Sequence, residues 1–89
     1  MAKLLVHHKV EDYTAWREVF DESTGIRTRF GSTGHEVYRS PNDPNELTIL
    51  TYWGDVNQAR AYAQSAELKE AMQNAGVVSQ PDVMFLQEV

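Results

Sequence analysis

The run Glu46-Leu-Thr-Ile-Leu-Thr-Tyr-Trp-Gly-Asp-Val-Asn-Gln-Ala-Arg-Ala-Tyr-Ala-Gln-Ser-Ala-Glu-Leu-Lys-Glu-Ala-Met72 decides the fold of this chain. Its first part, Glu46–Trp53, has apolar side chains on both alternating faces, which predicts a strand that is covered on both sides. Asp55 follows as a favourable helix N-cap, and Gln58 stands where a capping box has its second residue. Ser65 predicts the cap of another helix. The run therefore predicts a strand, a sharp corner and two short helices.

The sequence on either side of this run predicts three more strands and one more helix. The short connection Ser40–Asn45 contains two prolines and joins two strands, which indicates an antiparallel hairpin. Glu11-Asp12 offers an N-cap just before Tyr13. Tyr13, Trp16 and Phe20 follow one helical stripe. The elements predicted outside the run are a strand over Lys3–Val10, a helix from Tyr13 to about Phe30, a strand over Thr33–Arg39 and a last strand over Val83–Val89, with Gly31 and Gly76 as helix stops.

The order strand, helix, strand, strand, helix, strand predicts one ferredoxin-like α+β domain over residues 1–89. Right-handed crossovers place the first and third strands in the centre of a four-stranded antiparallel sheet, with the helices on one face. The other face has no cover within the chain, although it carries apolar side chains. Because such a face marks an interface, we expect a homodimer that pairs through the sheet and closes a barrel.

Composition excludes several classes of function. The net charge is −5 and the basic residues are scattered, which argues against nucleic acid and anionic membranes as partners. The chain has no cysteine, so disulfides and thiolate metal sites are excluded. The apolar run Leu4–Val6 is too short for a signal peptide or a membrane span. The expected location is therefore the cytoplasm.

The run Leu47–Trp53, the capped alanine-rich helix after it and the segment Ser65–Met72 together resemble the dimeric α+β barrel superfamily. That superfamily includes the antibiotic-biosynthesis monooxygenase domains and small cyclase-like bacterial proteins. The resemblance covers nearly the whole chain and implies the barrel dimer. It leaves the chemistry open, because the superfamily contains cofactor-independent monooxygenases, haem-degrading enzymes, isomerases and members without known activity.

The haem-degrading branch of the superfamily is the one that specific residues can test. It is expected to carry an Asn late in the first strand, a Trp in the helix after the third strand and a His near the end of the following helix. Alignment puts His8, Tyr62 and Met72 at these places. The resemblance therefore argues against haem degradation, and we expect no cofactor.

His8 is the candidate general base and Tyr62 the candidate orienting group, because imidazole titrates near neutrality and a phenol can donate a hydrogen bond. His7 and His8 point to opposite faces of a strand and cannot hold one metal together, so no metal site is expected. Each candidate also has a purely structural interpretation as part of a small domain's core. The expected ligand-pocket residues are Trp16, Phe20, His35 and Met72.

Two functions remain open at this point. The first is a small monooxygenase-like barrel protein that binds or oxidises a small apolar or aromatic metabolite without a cofactor. The second is a non-catalytic ligand-binding or structural dimer of the same fold, whose pocket is filled by core aromatic side chains. The sequence does not separate them.

Overall fold

The structure is a computed structural model that describes residues 1–89. Its elements are β1 (Ala2–Lys9), α1 (Tyr13–Glu22), α2 (Thr24–Phe30), β2 (Ser32–Arg39), β3 (Glu46–Trp53), α3 (Val56–Ala63), α4 (Ala66–Asn74) and β4 (Asp82–Gln87). The four strands form one antiparallel sheet in the order β2-β3-β1-β4. This confirms the predicted ferredoxin-like arrangement with the first and third strands at the centre. No helix is long and apolar enough to cross a membrane.

The two faces of the sheet differ in burial along both central strands. Buried side chains alternate with half-exposed ones in β1 and β3. The register places Leu4 opposite Thr51 and Val6 opposite Ile49, so these side chains share the face that the helices cover. That face carries the buried residues Ala2, Leu4, Val6, His8, Leu47, Ile49, Thr51 and Trp53.

The first predicted helix is not continuous, contrary to the expectation of one helix from Tyr13 to Phe30. It breaks at Ser23, which separates α1 from α2. The Ser23 hydroxyl donates to the carbonyl of Val19 at 2.9 Å, and the Thr24 hydroxyl donates to the carbonyl of Asp21 at 2.7 Å. These side chains compete with the backbone for the carbonyls of the last turn, which is how hydroxyl residues end helices.

The predicted helix caps are formed, with one exception. Asp12 and Ser65 accept hydrogen bonds from the backbone amides of α1 and α4, at 3.1 Å each. Asp55 accepts from the amide of Asn57 at 2.8 Å, but Gln58 makes no return bond, so the predicted capping box is wrong. Gln58 lies instead against Gly31, where an added Cβ would come within 2.6 Å of its amide nitrogen. Because the Gln58 side chain packs against Gly31, it is not available to close the capping box.

Two clusters of buried side chains lie between the sheet and the helices. One is centred on Trp53, whose indole nitrogen donates to Thr51 Oγ1 at 2.8 Å. The other contains Trp16 and Leu47 near the start of α1. Both clusters use residues of the central strands, so the space between them lies over the middle of the sheet.

The opposite face of the sheet has no cover within the chain. Leu5 lies between Leu50 and Met84 on this face, and Met84 is 55% exposed. His7 lies on the same face between two carboxylates, with Nε2 2.9 Å from Glu46 and Nδ1 3.3 Å from Asp82. The face therefore has an apolar row at its middle, with Glu36 opposite Leu50 on the edge strand and the His7 cluster at one end.

Candidate functional site

A cavity of about 50 Å³ lies between the helices and the sheet, where the two core clusters meet. It is lined by residues from β1, β3 and all four helices. The structure brings together five of the six residues expected at the site, namely His8, Tyr62, Trp16, Phe20 and Met72. The sixth, His35, lies on β2 outside the cavity wall and packs its ring edge-on against Phe20, with ring centres 4.9 Å apart.

His8 is a buried imidazole near the end of β1. Its side chain is almost fully buried, and Nδ1 has no hydrogen-bond partner. Burial lowers the pKa of His8, its own backbone opposes this effect, and the charge of neighbouring His7 adds to the lowering. The ring is therefore neutral near pH 7, with a nitrogen free to accept a proton. An unpaired buried polar atom costs free energy, which is a feature more typical of functional sites than of cores.

Tyr62 lies on α3 and is 6% exposed. Its ring packs against Trp53, with ring centres 5.2 Å apart, and edge-on against Phe30 at 5.7 Å. Burial raises the pKa of the Tyr62 hydroxyl, although the nearby charge of Arg27 opposes this effect. Tyr62 therefore stays protonated at neutral pH and can donate a hydrogen bond.

Trp16 and Phe20 form an aromatic wall along α1. Their rings are stacked, with centres 4.9 Å apart and planes inclined by 19°. Trp16 also meets the His8 ring edge-on at 6.1 Å. The pair lie one helical turn apart, as the sequence periodicity indicated. The Arg27 guanidinium and Trp16 both lie over Phe20, so the pair contributes a closely packed aromatic wall to the cavity.

Arg27 also lines the cavity, and sequence reasoning missed it. The side chain is buried, and its guanidinium carbon lies 3.7 Å from the centre of the Phe20 ring. A signal was present: Arg27 follows Phe20 by seven residues and so occupies a position of the apolar stripe. Either a break in the helix exposes a basic residue at such a position, or the residue is buried because it has a structural or functional role.

A second, wider hollow of about 320 Å³ lies beside the cavity. It is bounded by the corner between α3 and α4 and by the segment that leads into β4. The two hollows share Val6, Leu68 and Met72 as walls. Leu68 and Met72 are one turn apart on α4, a helix without a fully buried residue inside its bounds. Two of the three shared residues therefore belong to a lightly packed helix, and the third, Val6, belongs to β1.

His7 lies on the uncovered sheet face and takes no part in this cavity. Its hydrogen bonds to Glu46 and Asp82 raise the pKa of His7. Each ring nitrogen faces a different carboxylate, so the three groups form an ionic cluster. No group of three or more His, Cys, Asp or Glu side chains in the chain is arranged to hold a metal ion.

Comparisons with known proteins agree with this architecture. Residues 4–74 match the antibiotic biosynthesis monooxygenase family, whereas no curated protein matches the chain significantly. A candidate antibiotic biosynthesis monooxygenase from Bordetella bronchiseptica is 19% identical, with a TM-score of 0.81 over 99% of this chain and 96% of that one. A mutant of SnoaB, a cofactor-independent oxygenase from Streptomyces nogalater, is also 19% identical, with a TM-score of 0.74 over 98% and 91%.

Rv0793 from Mycobacterium tuberculosis has the same fold, at 12% identity and a TM-score of 0.73 over 99% of this chain and 94% of that one. At such identities the structural likeness shows the fold, and the activity must be argued from the site. The family match is evidence for membership of the family and not only for the fold, because it covers residues 4–74, most of the sequence. This chain belongs to the antibiotic biosynthesis monooxygenase family.

Proposed function

We propose that this protein is a cofactor-independent monooxygenase that binds a small aromatic metabolite between its helices and its sheet. The observation that carries the proposal is a single apolar cavity lined by both a buried, unpartnered imidazole and a buried tyrosine, His8 and Tyr62. A convergence of a few polar groups in an apolar pocket is the usual composition of a small-molecule site. Membership of the monooxygenase family supports the reaction class.

In this proposal His8 is the general base and Tyr62 orients the substrate. The lowered pKa of His8 keeps the ring neutral, so Nδ1 can take a proton from a phenol or an activated C–H group. The resulting substrate anion is electron-rich and transfers electrons directly to O₂, so no cofactor is needed to supply them. Overall, one substrate and one O₂ give one quinone and one water, and one oxygen atom of O₂ enters the product. The Tyr62 hydroxyl donates a hydrogen bond to the substrate oxygen on which charge develops.

The substrate needs more room than the inner cavity offers. A cavity of about 50 Å³ is smaller than an aromatic ring requires, whereas ligand pockets typically measure about 300–1,000 Å³. The outer hollow reaches that range, at about 320 Å³. Met72 separates the two spaces and has a flexible, unbranched side chain. A ligand that displaces Met72 joins them, with its reacting end near His8.

Incorporation of ¹⁸O into the product tests this proposal. The purified protein is incubated with anthrone or 1-naphthol under ¹⁸O₂, with a chelator present and no flavin added, and the product is analysed by mass spectrometry. The expected result is a quinone carrying one ¹⁸O atom, formed at a rate that falls by about 100-fold in His8→Gln. His7→Gln is the matched control, because His7 is adjacent in sequence but lies on the opposite face, and it keeps the rate.

A second candidate function is a non-catalytic ligand-binding or structural dimer. The observation that favours it is the small size of the inner cavity, which Trp16, Phe20 and Met72 largely fill. Binding of aromatic ligands without oxygen uptake, and with equal affinity in His8→Gln, would support this candidate. The same result would contradict the monooxygenase.

We also propose that the protein forms a homodimer through the uncovered sheet face. Apolar side chains of three adjacent strands, including Leu5, Leu50 and Met84, lie together on this face. Leaving such a patch in water costs free energy that a second copy would remove. A chain of 89 residues also buries little surface alone. In this arrangement the cavity lies on the far side of the sheet from the interface.

A further inference from the structure

Arg27 is a buried cation without an anionic partner. Its side chain is 3% exposed, and the ion pairs of the chain involve other cations, His7, Arg17 and Arg29. The guanidinium donates from Nη1 to the carbonyl of Phe20 at 3.0 Å and from Nη2 to Thr24 Oγ1 at 3.2 Å. Both acceptors are neutral, and so is the hydroxyl of Tyr62, which also lies close to the guanidinium. Neutral partners offset only part of the free energy that burying a charge requires.

The surroundings of Phe20 are positively charged, although the chain carries a net charge of −5. Arg27 lies over the Phe20 ring at 3.7 Å, and Arg17 lies at 5.6 Å. Arg17 is neutralised by Asp21, 3.1 Å away. The charge of Asp21 also acts on Arg27, but Arg27 forms no ion pair of its own, and of the two arginines it is the one that lines the cavity.

We infer that the ligand of this cavity is an aromatic anion, with a carboxylate or an ionised phenol bound by Arg27 and its ring among the apolar side chains that line the cavity. The planar guanidinium still has N–H groups to donate, and it matches the geometry of a carboxylate. The mostly apolar lining of the cavity provides the surroundings for the ring. The inference rests on the proposed ligand cavity and names the class of molecule that fills it.

Arg27 also has a structural role, which the test must separate from binding. Its bond to Phe20 ties α2 to the last turn of α1. Arg27→Met removes the charge and keeps an unbranched side chain of similar reach, and an apolar replacement of a buried charge is often tolerated. Arg27→Lys keeps the charge but loses the fork of donors. Arg29→Met is the matched control, because Arg29 lies on the same helix, is exposed and pairs with Glu67.

Isothermal titration calorimetry with 1-naphthoate and its uncharged counterpart 1-naphthamide tests the inference. We expect the wild type and Arg29→Met to bind 1-naphthoate about tenfold more tightly than 1-naphthamide, because a charge-assisted hydrogen bond is lost in the amide. Arg27→Met is expected to bind both compounds equally, and Arg27→Lys to retain part of the preference. 4-Nitro-1-naphthol, ionised at neutral pH, represents the phenolate source and is expected to lose affinity in Arg27→Met.

The outcomes separate this inference from the proposed function. Equal binding of 1-naphthoate and 1-naphthamide by the wild type would overturn the inference and leave the ligand cavity standing. A preference for 1-naphthoate that survives in Arg27→Met would overturn it as well. Failure of the wild type to bind any of the three compounds would contradict the ligand cavity itself. If circular dichroism shows that Arg27→Met is unfolded, the decision rests on Arg27→Lys, whose unchanged preference would count against the guanidinium.

Discussion

The most informative residues of this protein are polar groups at positions where the sequence pattern expects apolar ones. His8 shares a strand face with Leu4 and Val6, and the structure shows that this is the face under the helices, a choice that a strand apolar on both sides left open. Its lack of a partner could not be predicted, because that depends on which side chains of other elements come near Nδ1. Arg27 was missed for a related reason: its burial depends on how α2 packs after the break at Ser23, which is a tertiary feature.

The two adjacent histidines should give opposite pH dependences of stability. Burial lowers the pKa of His8, so the unfolded chain binds this proton more readily, and stability falls as the pH drops below the ordinary value of 6.5. Glu46 and Asp82 raise the pKa of His7, so its contribution is present below pH 6.5 and is lost as the pH rises through the folded-state pKa.

Urea unfolding between about pH 5 and pH 8 checks this prediction. His8→Leu should lose less stability than the wild type on acidification, and at neutral pH it should gain up to about 1 kcal/mol because no unpaired nitrogen remains. His7→Gln should lose more stability than the wild type on acidification. An acid-side loss in His8→Leu as steep as that of the wild type would contradict the assignment to His8.

At the scale of helices and strands, local signals worked where they needed only the neighbouring residues. The caps Asp12, Asp55 and Ser65 were found because each bond lies within a few residues of its donor. Gly76 ends α4 at φ 76°, with the amide of Val77 bonded to the carbonyl of Met72 at 3.2 Å. The capping box did not form because Gln58 packs against Gly31, which is distant in sequence.

Two glycine substitutions should change stability in opposite directions. Gly76→Ala forces a Cβ into the left-handed region and should cost about 1 kcal/mol or more, although its nearest neighbour, Glu11, is at ordinary contact distance. Gly25→Ala lies in α2 with nothing within 4 Å and should gain about 0.5 kcal/mol. Thermal unfolding of the wild type and of both variants measures these changes in stability. Equal effects would show that the conformation at Gly76 does not limit the end of α4.

For the whole molecule, the element order predicted the sheet order and the covered face, because few topologies suit this sequence of elements. The size of the cavity could not be predicted from the order of the elements. Its volume depends on the packing of side chains from four helices and two strands, which no local pattern specifies. The uncovered face was predictable, since strands apolar on both sides must find a second cover.

The proposed dimer predicts a specific effect of charge on that face. Leu50→Asp puts two like charges against each other across a two-fold interface and should give a species of 10.1 kDa, where the wild type sediments at twice that mass. Ala61→Glu, on the exposed surface of α3, is the control and should remain a dimer. A wild type that sediments as a single chain at micromolar concentration would contradict the dimer.

The central claim is that the space under the helices is the ligand site, and three methionines report on it independently. Met72 lines the cavity, Met84 lies on the uncovered sheet face, and Met1 is exposed at the terminus. With ¹³C-methyl-labelled methionine, titration with 1-naphthoate should shift the Met72 methyl resonance and leave those of Met1 and Met84 in place. A shift of Met84 without one of Met72 would contradict the account, as would no shift at saturating ligand.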